Sequence, residues 1–424
     1  MNVTANKAQV HSVRARRSAL AGSVLLLTLA LPAWAGPNEQ AKRIYERLAG
    51  EPPPAAVLAQ MEIALCGAAP CPAGTASLSP GDPRLVTAAV IATDPVKYPN
   101  YYAHDFYNVT LKNWVIPWTN RDQTVFAPFN DYAATVIGMV RDDVPFNTAL
   151  SADILYTVNG VSPAPSNANN THYATAEAKG IDLATALRQT TQSGSYGTPA
   201  AATAGLITTY AAEAAFFING TNRAMFRFTM MNHFCNDMQT LMDTTRPTDR
   251  IRQDVARSPG GDSRVYLQTC VGCHSGMDPM AQAFAYYNFN GTVGPGVMNT
   301  GTMEYTQGQV QPKYLINSFN FPFGFVTPND SWSNRWRGGI NAALGWSPAL
   351  PGSGSGAKSL GQEIESAQQF ATCQVTKVFQ AVCFRAPVSS TDMTSVGNIT
   401  STFQSGGYKL KQVFQQVAAA CPGQ

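Results

Sequence analysis

The chain has 424 residues, with 29 Lys and Arg against 26 Asp and Glu. Four of the basic residues and none of the acidic ones precede Gly36, so the rest carries 25 positive and 26 negative groups, a net charge of −1. That balance excludes the basic footprint of a nucleic-acid binder or of a protein drawn to an anionic membrane. Only 13% of the residues are charged, about half the usual share, and Asn, Gln, Ser and Thr supply polar surface instead.

Arg14, Arg16 and Arg17 precede an apolar run, Ala19 to Leu31, that is short for a membrane span. Ala33-Trp34-Ala35 follows as a small-x-small cleavage site. Residues 1–35 therefore read as a signal peptide cleaved after Ala35, which exports the chain to the periplasm. No Cys follows the cleavage site to carry a lipid, and no later apolar run reaches the length of a membrane helix. The remaining 389 residues are enough for two or three packed domains.

The expected fold is mainly α, a multi-segment helical protein with an embedded cytochrome c-like haem domain and long irregular loops. Residues 36–100 form an N-terminal segment with two helices separated by Pro52-Pro53-Pro54. Ala41, Ile44, Tyr45 and Leu48 mark the first, and Ala56, Leu58, Met61 and Leu65 the second. From about 67 to 100 the Pro, Gly and Ala content predicts loop. Residues 101–245 read as a central helical domain, with helices expected at Asn130–Val140, Thr175–Gln192, Thr198–Phe217 and Asn222–Asp243, and an exposed loop at 162–170. Residues 246–350 are rich in Gly, Pro and Trp with little periodicity. Pro351 to Gly356 reads as a flexible joint, and 351–424 closes the chain with helices at Leu360–Cys383 and Tyr408–Ala420.

Eight cysteines in an exported chain normally pair. Cys66 and Cys71 flank a short turn and can close a local loop. Cys373 and Cys383 share one helical run, where ten residues of rise separate them by about 15 Å, well beyond the roughly 7 Å that a disulfide spans. Each must pair elsewhere, and Cys235–Cys373 with Cys383–Cys421 is the expected arrangement. Cys270 and Cys273 are set apart by their context, Cys270-Val-Gly-Cys273-His274. In Cys-x-x-Cys-His two thiols add to the vinyl groups of a haem and the next His ligates its iron. One covalent haem c is the cofactor this spacing predicts. A redox disulfide lacks a surrounding βαβ pattern, and a zinc ribbon lacks a second Cys or His pair.

The other axial position has several candidates. Met277 and Met280 lie on the same local segment as His274 and cannot cross the ring. Met303 is preferred, in a Gly-rich stretch able to fold over the far face, so His274 and Met303 form the expected metal-ligand pair; a thioether there raises the potential. Met298 and His233 are the alternatives, His104 and His172 are more remote, and an open iron is the remaining reading. Arg250, Arg252, Arg257 and Arg264, with Trp332, Trp336 and Trp346, are candidate donors to the haem propionates. Arg141-Asp142-Asp143 reads as a helix end rather than an acid–base pair, and the stripe Met225, Phe228, Met231, Cys235, Met238, Met242 as core.

His274-Ser-Gly-Met277-Asp278-Pro279, followed by Ala283-Phe-Ala-Tyr-Tyr-Asn-Phe-Asn290, resembles the planctomycete-type cytochrome c proteins, whose haem motif runs into Met/Ile-Asp-Pro and Gly-Phe-Ala-Leu-Glu-Asn-Phe-Asp. Here Ala281 and Gln282 are inserted and Tyr-Tyr replaces Leu-Glu. Arg47 to Pro53, Val140 to Phe146 with Asp153 to Asn159, and Phe370-Ala-x-Cys373 with Arg385 are similar to the family's flanking helical regions. The resemblance implies one haem in a mostly helical exported protein, held by Cys270, Cys273 and His274, with Asp278 and Pro279 shaping the haem-side turn.

These readings predict an exported monohaem cytochrome that transfers single electrons to an unknown periplasmic or outer-membrane redox partner. A haem needs only about 100 residues around it, so the rest of the chain is available for docking. A haem enzyme with an open distal iron, peroxidase- or oxygenase-like, is the first alternative. A partner-binding module with a structural haem is the second.

Overall fold

The computed structural model describes residues 36–218, 220–292 and 300–421. The expected signal peptide and Met298 lie outside them. Three helices open the described chain: α1 (Pro37–Ala49), α2 (Ala55–Cys66) and α3 (Pro83–Thr93). Helix α1 buries Ala41, Ile44, Tyr45 and Leu48, the stripe its spacing predicts. In α2 the buried stripe is Val57, Met61 and Leu65, one residue round from Ala56, which is exposed. Helix α3 falls inside the expected loop. Asp82 caps it by accepting the Arg84 N–H, and Pro83 occupies the first turn, where a missing N–H costs nothing. Leu85, Ala88, Ala89 and Ala92 are buried where α1, α2 and the last helix of the chain pack on it, but Val86 and Val90 on its half-buried side are apolar too, which blurred the periodicity.

The central segment contains α4 (Leu111–Val115), α5 (Asp131–Arg141), α6 (Thr171–Ala178), α7 (Leu183–Ala186), α8 (Gln192–Tyr196), α9 (Tyr210–Phe216) and α10 (Arg223–Phe234). Asn130 caps α5 at the expected boundary. The helix expected over Thr175–Gln192 is broken. Gly180 takes φ +59°, and Leu187–Thr190 (β2) pairs antiparallel with Leu155–Val158 (β1). The helix expected over Thr198–Phe217 is reduced to α9. The one expected over Asn222–Asp243 stops at Cys235, which adopts φ +54° and bonds to Cys373.

Next come α11 (Ser263–Val265), α12 (Val271–Ala281) and a hairpin of β3 (Tyr287–Thr292) with β4 (Thr300–Tyr305) in which Phe289 faces Met303. Strand β5 (Ser331–Ser333) pairs with β6 (Ser353–Ser355), so the expected flexible joint is a strand pair, with Trp332 opposite Gly354. Four helices close the chain: α13 (Gly356–Glu365), α14 (Gln368–Cys383), α15 (Ser390–Ser405) and α16 (Leu410–Ala420). Helix α15 was not expected from its Ser and Thr content, yet Ser389 and Asp392 form a reciprocal capping box at its start.

Among the described residues the fold is therefore mainly helical with three small antiparallel strand pairs. The sequence segments are regions of one compact unit whose main buried cluster runs from Ala41 to Cys421, with a separate small one of Ile251, Val255, Tyr266 and Val271 beside Cys270. Helix α16 lies on α3, Gln415 Nε2 donates to Thr93 Oγ1 at 2.9 Å, and the Phe146 N–H donates to the Tyr408 carbonyl. The disulfides are Cys66–Cys71, Cys235–Cys373 and Cys383–Cys421, the expected set. No described helix is long and apolar enough to cross a membrane.

Candidate functional site

The Cys270–His274 segment sits within one nearly continuous helical run. Asp262 caps α11 by accepting the Arg264 N–H, a single π turn spans Tyr266–Cys270, and α12 follows directly. Such turns insert an extra residue into a helix and re-aim the side chains after it. At about 100° per residue, Cys273, His274, Met277 and Asp278 share one side of α12, and Gly272 and Gly276 share the other. A Cβ on Gly276 would lie 2.0 Å from Trp336 Nε1, and one on Gly272 would lie 2.2 Å from Met242 Cγ. The two glycines thus let the glycine face close onto its neighbours, which leaves the opposite face for chemistry.

Cys270 and Cys273 are both outside the three disulfides and both partly exposed. The Cys273 thiol donates to the Met238 carbonyl at 3.3 Å, and burial pushes its pKa up, with Cys270 and Asp237 adding to the effect. It is therefore held as the thiol.

His274 is 19% exposed at its side chain, and its Nδ1 lies 3.1 Å from Asp278 Oδ1, one helical turn on. Asp278 is fully buried and does not stand alone. Its Oδ1 accepts from Arg223 Nε at 2.8 Å and its Oδ2 from Arg223 Nη2 at 3.1 Å. Arg252 adds its backbone N–H at 3.3 Å and its Nη2 at 3.5 Å. Arg223 also grips Asp254 through both terminal nitrogens, at 2.6 and 2.9 Å. Burial alone would raise the Asp278 pKa; Arg223, His274 and Arg252 outweigh it and hold the group well below the carboxylate range. An ionised carboxylate only accepts hydrogen bonds, so Nδ1 is the donor of this pair. No hydrogen bond reaches Nε2 from the described residues.

The candidate propionate donors separate into two groups. Arg264 pairs with Asp262, Trp332 donates to Ser359 Oγ, Trp346 donates to the Trp336 and Asn341 carbonyls, and Arg250 lies over Phe325. By contrast, Arg252 Nε, Arg257 Nε and Trp336 Nε1 are buried without a hydrogen-bond partner, as is the Tyr266 hydroxyl. Buried polar atoms are rarely left so. Tyr266, on the π turn that ends at Cys270, and Arg257, over its ring, fit a site completed by a polar-rimmed group, whereas Trp336 Nε1 lies against Gly276 on the closed face of α12.

The remaining candidates lie among other partners. Met303 is buried on β4, facing Phe289, with its N–H donating to the Asn167 carbonyl. Its strand packs on β3 and α9, whereas α12 packs on α10 and β5. His233 is buried between Trp118 and Phe370, with Tyr132 Oη 2.9 Å from its Nε2. In His172, Nδ1 donates to the Pro163 carbonyl and Nε2 accepts the Val158 N–H, so neither nitrogen is open to a metal. His104 joins Asp182 and Tyr102 at the surface. Met277 and Met280 are buried along α12. Arg141 bonds Asp142 at the end of α5, while Asp143 pairs with Lys411.

Sequence reasoning singled out Asp278 only for the turn and passed over Arg223 and Asp254. The i,i+4 spacing of His274 and Asp278 on a helix was the available signal. Nothing local marks Arg223, 55 residues away from Asp278.

Covalent haem would need two reduced thiols and a neighbouring imidazole, and Cys270 and Cys273, both outside the disulfides, with His274 next in the chain fit that need. Among the described residues no three His, Cys, Asp or Glu side chains converge as a ligand set for a bare metal ion. No family model, curated protein or solved structure matches this chain.

Proposed function

We propose that this chain is an exported c-type cytochrome carrying one haem on Cys270, Cys273 and His274, and that it transfers single electrons to a periplasmic or outer-membrane partner. The planctomycete-type cytochrome c resemblance supports the same reading. The observation that carries it is the exposure of the two attachment thiols. Cys270 and Cys273 are partly open to solvent and Leu267, one turn earlier, is 61% exposed, so a haem held by these thiols would lie at the surface, within reach of a partner. Each thiol adds across a vinyl group, its sulfur going to one carbon and its hydrogen to the other, so attachment needs no oxidant. Haem bound there supplies one-electron iron chemistry. His274 provides the Nε2 ligand, and Tyr266 on the π turn, with Arg257 over its ring, has the O–H and N–H groups that propionates require.

A second reading, a haem enzyme with an open iron, is favoured by one observation: Met303, His233 and His172 all pack among partners other than those of His274.

The test is the protein purified from a host competent in cytochrome maturation. Covalent haem that survives denaturation, and is lost in the Cys270→Ser, Cys273→Ser double variant, is the expected result; absence of haem from the native chain overturns the proposal. A reduced spectrum unmoved by carbon monoxide, together with a far-red thioether band in the oxidised spectrum that Met303→Leu removes, favours the carrier. A carbon monoxide shift favours the enzyme.

A further inference from the structure

Of the eight cysteines, five histidines and buried charges in this molecule, one constellation has more organisation than haem attachment demands. His274 needs only some acceptor for its Nδ1–H, and a backbone carbonyl or water would serve. Instead it meets a carboxylate with no solvent exposure at its side chain, braced on two sides. Arg223 grips both Asp278 oxygens, and Arg252, itself buried, approaches from a different segment. Asp254 holds Arg223 from behind. Two arginines and two aspartates balance in charge, so the cluster is stable without a proton on Asp278.

From this geometry we infer that Asp278 is a positioning residue: it fixes the His274 tautomer, aims Nε2 away from the protein, and lowers the reduction potential of the iron that His274 ligates. The inference rests on the haem reading above. A carboxylate acceptor on a ligating imidazole raises the ligand's basicity and orients its ring. A more basic ligand stabilises the higher charge of oxidised iron over the reduced form. The arginines moderate the effect by sharing the carboxylate charge, and they also keep Asp278 from rotating away from the ring.

The experiment compares the midpoint potential of the haem-loaded native protein with those of Asp278→Asn and Asp254→Asn. Each substitution removes one negative charge from the same cluster, but only Asp278 touches His274. Asp278→Asn is expected to shift the reduced-to-oxidised ratio at fixed ambient potential at least tenfold toward reduced, about 59 mV for a one-electron couple. Asp254→Asn should shift it less than threefold. Equal shifts in the two variants, or none in Asp278→Asn, overturn the inference while leaving the haem reading intact. A native chain without haem overturns both. If Asp278→Asn fails to fold, Arg223→Lys provides the second test: one ammonium cannot grip both oxygens, the carboxylate charge concentrates on His274, and the ratio should move toward oxidised. No movement there counts against the inference.

Discussion

Arg257 lies between two aromatic rings, its guanidinium carbon 4.3 Å from the Tyr266 centroid and 3.8 Å from that of Phe321. Tyr266 begins the π turn that ends at Cys270, and Phe321 belongs to a loop whose backbone donates to Gln253 and Ile251. Arg257 therefore ties the attachment helix to the loop beside it. Replacing it with Leu keeps apolar bulk but removes both cation–π contacts, at an expected cost of about 1–2 kcal/mol. A urea midpoint unchanged from the native protein would contradict this role.

The disulfides differ in what they constrain. Cys235–Cys373 closes a loop across 138 positions, Cys66–Cys71 across only 5. On chain entropy the first is worth about 5 kcal/mol and the second about 2. Denaturant titrations of Cys235→Ser, Cys373→Ser and of Cys66→Ser, Cys71→Ser should therefore rank in that order, and the reverse ranking would refute it.

Glu365 is buried in α13, where it accepts the Leu150 N–H at 2.9 Å and the Ser151 hydroxyl. Burial pushes its pKa from 4.5 to about 8, with those two hydrogen bonds working against the rise. The folded state thus holds a proton more tightly than the unfolded chain. The stability it contributes is complete below about pH 4.5 and is lost as pH rises through 8. Glu365→Gln, which mimics the protonated acid, should flatten this dependence and gain at least about 1 kcal/mol at pH 9. Parallel melting-temperature profiles of the two proteins from pH 5 to 9 would show the assignment to be wrong.

Tyr132 and His233 are both buried in the space between α5, α10 and α14, and His233 Nδ1 is already without a partner. Tyr132→Phe would strand the second ring nitrogen as well. The expected loss is about 1–3 kcal/mol, seen as a lower melting temperature. Because the His233 ring is enclosed by Tyr132, Trp118 and Phe370, the optical spectrum of the haem-loaded protein should stay the same; a spectral change would place His233 at the iron.

What was legible in the residues themselves was local. The stripe of α1, the Asn130 cap, the impossibility of Cys373–Cys383 and the Cys-x-x-Cys-His spacing all follow from helix rise, turn angle and bond reach over a few residues. Asp278 could have been read the same way, one turn from His274. Packing decided the rest. Helix α3 hid because apolar Val86 and Val90 on its half-buried side blur the period set by Leu85, Ala88, Ala89 and Ala92. Residues Ser353–Ser355 became a strand because Trp332 and its neighbours offered an edge. Arg223 and Arg252 reach Asp278 from 55 and 26 residues away. No periodicity encodes such meetings, since hydrophobic spacing reports which face of an element is buried but not which charged side chain will lie against it.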